Sequence, residues 1–421
     1  MHRISHVPLA LGLAALATPA LAQLQQGEKP TQEQVATGEA PATPIDESEK
    51  ALRALQDRAR TVRWSRAAAT DLLAYVERVH EEGLDPADYG RDRLGDALAG
   101  RDDAELSTAA TDTFLRLSSD LALGHVRGDA RIQWHVIDPD LDGNEQYAMM
   151  ERAVQSGDVR GTLNALLPTN PQYAELKGVL ATTTDKAVRD KVRTNLDRWR
   201  WLPRDLGPRY VIVNVPAYTV ALVENGQVVV RHRAVVGAPK TATPQLSAVA
   251  TGVIFNPWWE VPTSISDEVR GKKGYVSVKT PEGGVRYRQP PGAGNALGRM
   301  KVVMPNNYAI YLHDTPSKSL FKRDARAFSH GCIRTQDALG FAEALLENPQ
   351  WDKGSINEAI AAGKTVKAEV STPTPVYIAY FTAAAKANKA GILTYPDIYS
   401  RDTTVVAALN AKDGATLASA R

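Results

Sequence analysis

Between Leu52 and Arg200 apolar residues recur three and four positions apart, the period of helices that bury one face. Leu52, Leu55, Ala59 and Val62 make one such row, and Leu72, Leu73, Val76 and Val79 another, closed by Gly83 and Pro86. Leu106 to Leu123 continues the pattern until Gly124, and helices are also expected over 145–157, 171–182 and 185–200. After Leu202-Pro203-Arg204 the period shortens to two, the alternation of a strand. Strands are expected at 210–215, 219–223, 228–236 and 249–255, with Asn225-Gly226 as a hairpin turn. Residues 263–300, punctuated by glycine and proline, read as loop before a strand that ends at His313. Helices over 335–348 and 355–362 and strands over 365–370 and 376–381 complete the pattern. The expected fold class is α+β: a mostly α-helical domain over 46–203, then a β-rich domain over 204–402. Residues 23–45, rich in Gln, Thr, Pro and Glu, read as a disordered linker, and 403–421 as a mobile alanine-rich tail.

Composition adds little to this picture. Hydrophobic residues are 43% and charged residues 23% of the 421, ordinary for a globular protein. A net charge of +2 gives no electrostatic footprint for nucleic acid. The N-terminus is more informative. Arg3 precedes an apolar run from Pro8 to Ala17, and small residues follow up to Ala22. Residues 1–22 therefore read as a secretory signal peptide, because the run falls short of the ~20 apolar residues that span a bilayer.

Cys332 is the chain's one cysteine, so no intrachain disulfide can form. A lone cysteine is commonly a small buried hydrophobe. Here it follows His330 and Gly331, and the strand ending at His313 delivers a second imidazole. The expected helix after Cys332 would place the sulfur near a helix N-terminus, where a thiolate is favoured. One Cys and two His fall short of the four ligands zinc requires, so no metal is expected. Trp258 and Trp259 alternate along the chain, which sends one toward the core and the other toward a cleft. His125, Trp134 and His135 read as packing within the helical domain.

His313, fifteen intervening residues, then Ser329-His330-Gly331-Cys332 resembles the signature of the L,D-transpeptidases with a YkuD-type catalytic domain. The helical region ahead of it is similar to the scaffold domain of the large Gram-negative, YcbB-type subgroup. That resemblance implies a β-sandwich-like catalytic domain and a periplasmic enzyme of cell-wall biogenesis, a target of carbapenems. It implies Cys332 as the nucleophile forming a thioester acyl-enzyme, and His313 as general base. The Asp314 backbone carbonyl would orient the imidazole, and the Gly331 and Cys332 N–H groups would hold the oxyanion. His330 would support the thiolate or only pack beside it. Ser329, Tyr311 and Trp259 would line the substrate groove. Arg334 stands where many relatives carry asparagine; its fork, which pairs carboxylates bidentately, is expected to meet a stem-peptide carboxylate or to make a structural salt bridge.

No cofactor is implied. The implied partners are donor and acceptor peptidoglycan stem peptides, with an outer-membrane lipoprotein as a further substrate, for a monomer without a transmembrane segment. Two departures from the subgroup stand out. Fewer than 25 residues separate Tyr173 from Asn195, too few for the subgroup's peptidoglycan-binding module of roughly 60 residues. The capping insert within 263–300 is also short. Two other readings stay open: a hydrolase using the same site, and a wall-binding protein with an inert thiol.

Overall fold

The computed structural model describes residues 61–136, 140–281, 283–386 and 391–411. The expected signal peptide, the linker, most of the first helical row and the end of the expected tail lie outside the described residues.

The 3.6-residue period becomes helices α1 (Arg66–Glu77), α2 (Arg91–Ala99), α3 (Asp103–Leu123), α4 (Gly143–Ser156), α5 (Val159–Asn164), α6 (Pro171–Thr182) and α7 (Lys186–Trp199). Side chains close their open N-terminal N–H groups. Asp102 accepts from the Ala104 and Glu105 N–H groups at the start of α3. Asp142 and Glu145 form a reciprocal capping box on α4. Helix α3 is the axis of the first core, where Leu106, Phe114, Leu117 and Leu121 pack with Leu72, Leu94 and Met150. Helices α6 and α7 follow each other across a three-residue link, Thr183 to Asp185, and share a second core with the sheet. In it Trp199 stacks on Phe381 at 4.3 Å.

The alternating segments give strands β1 (Trp134–His135), β2 (Arg209–Asn214), β3 (Thr219–Glu224), β4 (Gln227–Gly237), β5 (Gln245–Phe255) and β6 (Trp259–Glu260). They continue as β7 (Val276–Lys279), β8 (Val285–Gln289), β9 (Met300–Val303), β10 (Leu312–His313), β11 (Ala327–Ser329), β12 (Ile333–Thr335) and β13 (Val366–Ala379). The β3–β4 turn forms at Asn225 and Gly226, both at positive φ (48° and 77°), as a tight primed hairpin requires. The strand order is β5-β13-β2-β3-β4-β12-β10-β9, and β9 pairs back onto β5, so the sheet closes on itself. Its core includes Val213, Leu222, Val253, Phe255, Met300, Leu312 and Ile333. From the helical half, β1 joins parallel to β5.

Three expectations are corrected. Residues 263–300 are not all loop. They hold a short helix, α8 (Ser266–Val269), and the β7–β8 hairpin, which pairs with β6 in a separate three-stranded sheet. Val276 and Val278 do alternate with Ser277 and Lys279, but the strand is only four residues long, stands among glycines and prolines, and buries neither valine. Second, Cys332 leads into strand β12, and the helix begins only at Ala338 (α9, Ala338–Leu346) with Asp337 as its cap. Helix α10 (Lys353–Ala361) follows. Third, the expected tail opens as helix α11 (Asp402–Leu409). Val405 and Leu409, four residues apart, bury against Val126 and Trp201. Asp402 pairs with Arg198 at 2.6 Å and with Lys191 at 2.7 Å.

Candidate active site

Strands β9, β10 and β12 lie side by side. Leu312 pairs with Ile333 and His313 with Arg334 in parallel register, and His313 pairs with Lys301 in antiparallel register. Leu312 and Ile333 enter the core. Side chains alternate along a strand, so Lys301, Tyr311, His313, Cys332 and Arg334 share the opposite face.

The turn before Cys332 is set by Ser329 and Gly331. Ser329 is buried; its hydroxyl donates to the Cys332 carbonyl at 2.6 Å and accepts the Gly331 N–H at 3.1 Å. Gly331 has a φ of 118°, and a Cβ there would lie 3.2 Å from the Ile310 Cδ1 atom. Only glycine takes this backbone without strain. The Gly331 N–H is thus already engaged and is not a spare oxyanion donor, whereas the Cys332 N–H donates to no group among the described residues. Ser329 shapes the turn rather than the groove. His330 points out to solvent and lies 3.5 Å from Glu268, so it does not support the thiol.

Cys332 is half-buried, and its Sγ lies 3.6 Å from the Ala309 carbonyl oxygen. Burial pushes the thiol pKa up; the Tyr311 N–H and phenol O–H, Lys301 and Arg334 all pull it back toward the thiolate. The expected helix dipole is absent from this balance, because a strand follows the sulfur. Tyr311 is the closest collaborator of the thiol. Burial and the neighbouring sulfur drive its phenol pKa far above the ordinary range, while the Trp259 indole N–H eases it. The Tyr311 and His313 rings meet edge to face, with centroids 5.7 Å apart.

His313 is buried, and burial lowers its pKa to about 3, aided by Arg334. It is therefore neutral at pH 7. The Asp314 backbone pulls in the other direction, yet the buried Nδ1 has no aligned hydrogen-bond partner. The Asp314 carboxylate faces elsewhere: it accepts the Arg299 N–H at 2.9 Å and pairs with Lys318. No hydrogen bond joins His313 to Cys332 among the described residues.

Above this face sits the small sheet. Trp259 lies with its ring centroid 6.1 Å from that of Tyr275 and directs its indole N–H to Tyr311. Trp258 is exposed and carries Arg288 over its ring at 4.1 Å, so neither tryptophan enters the core, contrary to expectation. Strand β6 leaves the closed sheet before either residue could point inward.

Residues 208–378 match the YkuD family, the L,D-transpeptidase catalytic domain, and residues 52–180 match the Scaffold domain. The chain carries a YkuD catalytic domain behind a Scaffold domain. A curated Haemophilus influenzae protein, itself a candidate L,D-transpeptidase, is 28% identical over 292 residues, 62% of this chain and 59% of the relative. The chain thus spans about three-fifths of the length of that relative. Among solved structures, an L,D-transpeptidase from Mycobacterium smegmatis is 17% identical with a TM-score of 0.23, over 41% of this chain and 58% of its own. L,D-transpeptidase 3 from Mycobacterium tuberculosis, in complex with a faropenem-derived adduct, is 16% identical with a TM-score of 0.24, over 41% and 60%.

The YkuD face holds two groups that reading the sequence passed over. Lys301 alternates outward between Met300 and Val302, a signal present in the sequence once β9 is seen to pair with β10. The Ala309 carbonyl carries no sequence signal; its residue adopts a φ of 52° that nothing in an alanine announces.

Proposed function

We propose that the chain is a periplasmic peptidoglycan L,D-transpeptidase that works through a Cys332 thioester. One observation carries this reading: Cys332, His313 and Tyr311 share one face of a YkuD catalytic domain, with a neutral imidazole able to accept a proton. Cys332 Sγ attacks the carbonyl between an L-centre and a D-residue of a donor stem peptide. The thiol proton passes to His313. The Cys332 N–H and the Tyr311 hydroxyl face the developing oxyanion, a role worth roughly 3 kcal/mol per aligned donor. The C–N bond breaks, His313 returns the proton to the leaving amine, and an acceptor amine then resolves the thioester into a crosslink.

The raised thiol and the lowered imidazole mean that this site starts as a neutral pair. Charge separation then accompanies substrate binding, where water is excluded and the Tyr311 donors are closest. The signal-peptide pattern at 1–22 supports export to the compartment where this substrate lies.

Purified protein incubated with tetrapeptide muropeptides tests the reading. Crosslinked dimers are expected. Shortened monomers alone would make the enzyme a hydrolase, and unchanged peptides would remove both activities.

A further inference from the structure

Two cations near the thiol, one on each side of His313, make no ion pair among the described residues. Lys301 lies opposite His313 in the β9–β10 register, and its Nζ sits over the Tyr311 ring at 4.8 Å from the centroid. Arg334 lies opposite His313 on the other side, two residues after Cys332. Neither makes an ion pair among the described residues, and the buried Arg334 Nε has no hydrogen-bond partner. The acids nearby are taken. Asp314 is held by Lys318 and the Arg299 N–H, and Glu260, the carboxylate that bears on Lys301, pairs with Arg288 at 3.0 Å. The structural salt bridge open to Arg334 on sequence grounds is absent among the described residues.

Leaving two partly buried cations unpaired is costly, and the cost appears as lowered pKa values for both, caused first by burial. An arriving anion would relieve it. A guanidinium fork and an ammonium on the two strands either side of His313 suit a carboxylate. The donor in the proposed reaction supplies one: the D-residue that leaves carries a free carboxylate one carbon from the scissile nitrogen.

We infer that Lys301 and Arg334 form a carboxylate clamp that seats the leaving D-residue of the donor peptide beside Cys332. The inference rests on the transpeptidase reading for its substrate, but the anion site itself can be tested apart from it. The clamp selects donors whose last residue is a free acid, and it places the scissile carbonyl over the sulfur before any bond forms.

Alkylation of Cys332 in the full chain by iodoacetate and by iodoacetamide reads the clamp directly. In both reactions the thiolate forms a C–S bond and iodide leaves, so the rate ratio cancels the thiol's own ionisation. The acid-to-amide ratio should exceed that of glutathione by about tenfold, the scale of a charge-assisted hydrogen bond. It should fall toward the glutathione value in Lys301→Met and in Arg334→Gln, and persist in Lys301→Arg. A wild-type ratio equal to that of glutathione, or an unchanged ratio in either folded charge-removing variant, overturns the clamp. If Lys301→Met fails to fold, Arg334→Gln decides. With tetrapeptide donors, a C-terminal carboxamide should raise KM about tenfold with a smaller change in kcat. Equal KM for acid and amide counts against the clamp. Failure of both peptides to react removes the transpeptidase reading, while the alkylation ratio still decides the anion site.

Discussion

The imidazole of His135 lies flat against the Tyr308 ring, with centroids 4.0 Å apart and planes 22° from parallel. His135 belongs to β1, the strand that joins the catalytic sheet from the helical side. Tyr308 precedes Ala309, whose carbonyl faces the Cys332 sulfur at 3.6 Å. The Asn306 side chain brackets the same loop, donating to the Met304 and Ile310 carbonyls at 2.8 and 2.7 Å. The stack is thus a route by which the helical half fixes a group beside the Cys332 sulfur. His135→Ala should slow acylation of Cys332 by a carbapenem by about tenfold, the scale of a small misplacement of reacting groups. His135→Phe, which keeps a flat ring, should restore most of the rate. An unchanged rate in His135→Ala would reduce the contact to packing.

The charge state of the thiol and imidazole predicts the pH response. Burial raises the Cys332 pKa, so iodoacetamide alkylation should keep rising with pH beyond ~8.5, the ordinary thiol value. A plateau reached below pH 7 would instead reveal a preformed ion pair. The folded-state pKa of His313 is depressed to about 3. Its contribution to stability is therefore present above the unfolded value of ~6.5 and is lost as pH falls from there toward 3. Thermal melts between pH 7 and 4 should show this loss, and the slope should flatten in His313→Gln.

Gly331→Ala forces a methyl group to within 3.2 Å of Ile310 at a φ of 118°. Strain of about 1–3 kcal/mol is expected, relieved by shifting the turn that aims the sulfur. The variant should melt at a lower temperature and acylate far more slowly. A variant that keeps both properties would show that the turn has slack.

Asp402 sits between Arg198 and Lys191 and accepts from both. Arg198 is almost wholly buried, with 3% of its side chain exposed, so Asp402→Ala leaves a buried cation without its acid. A loss of about 3–5 kcal/mol in denaturant unfolding is expected. A loss below ~1 kcal/mol would place the pair with ordinary surface bridges.

Much of this molecule was legible in the sequence, for reasons that differ by element. Helices α3, α6 and α7 were readable because a full apolar stripe repeats over several turns, and Asn225-Gly226 because its turn needs two positive φ angles. The β7–β8 hairpin alternates over short runs masked by the glycines and prolines around it, and α11 lies in an alanine-rich stretch in which only Val405 and Leu409 mark a buried face. At the site, the motif named Cys332 and His313, but neighbours in sequence are not neighbours in space. His330, two residues from the sulfur, turns to Glu268, whereas Lys301, thirty-one residues away, shares the face of the thiol. Strand pairing decides that, and pairing partners are not written in local periodicity.

The most direct measurement is the intact mass of the protein after incubation with a carbapenem. The wild-type chain should gain the mass of one carbapenem, and Cys332→Ala should gain none. A wild-type mass that stays unchanged, or an adduct that persists in Cys332→Ala, would contradict a reaction centred on this sulfur.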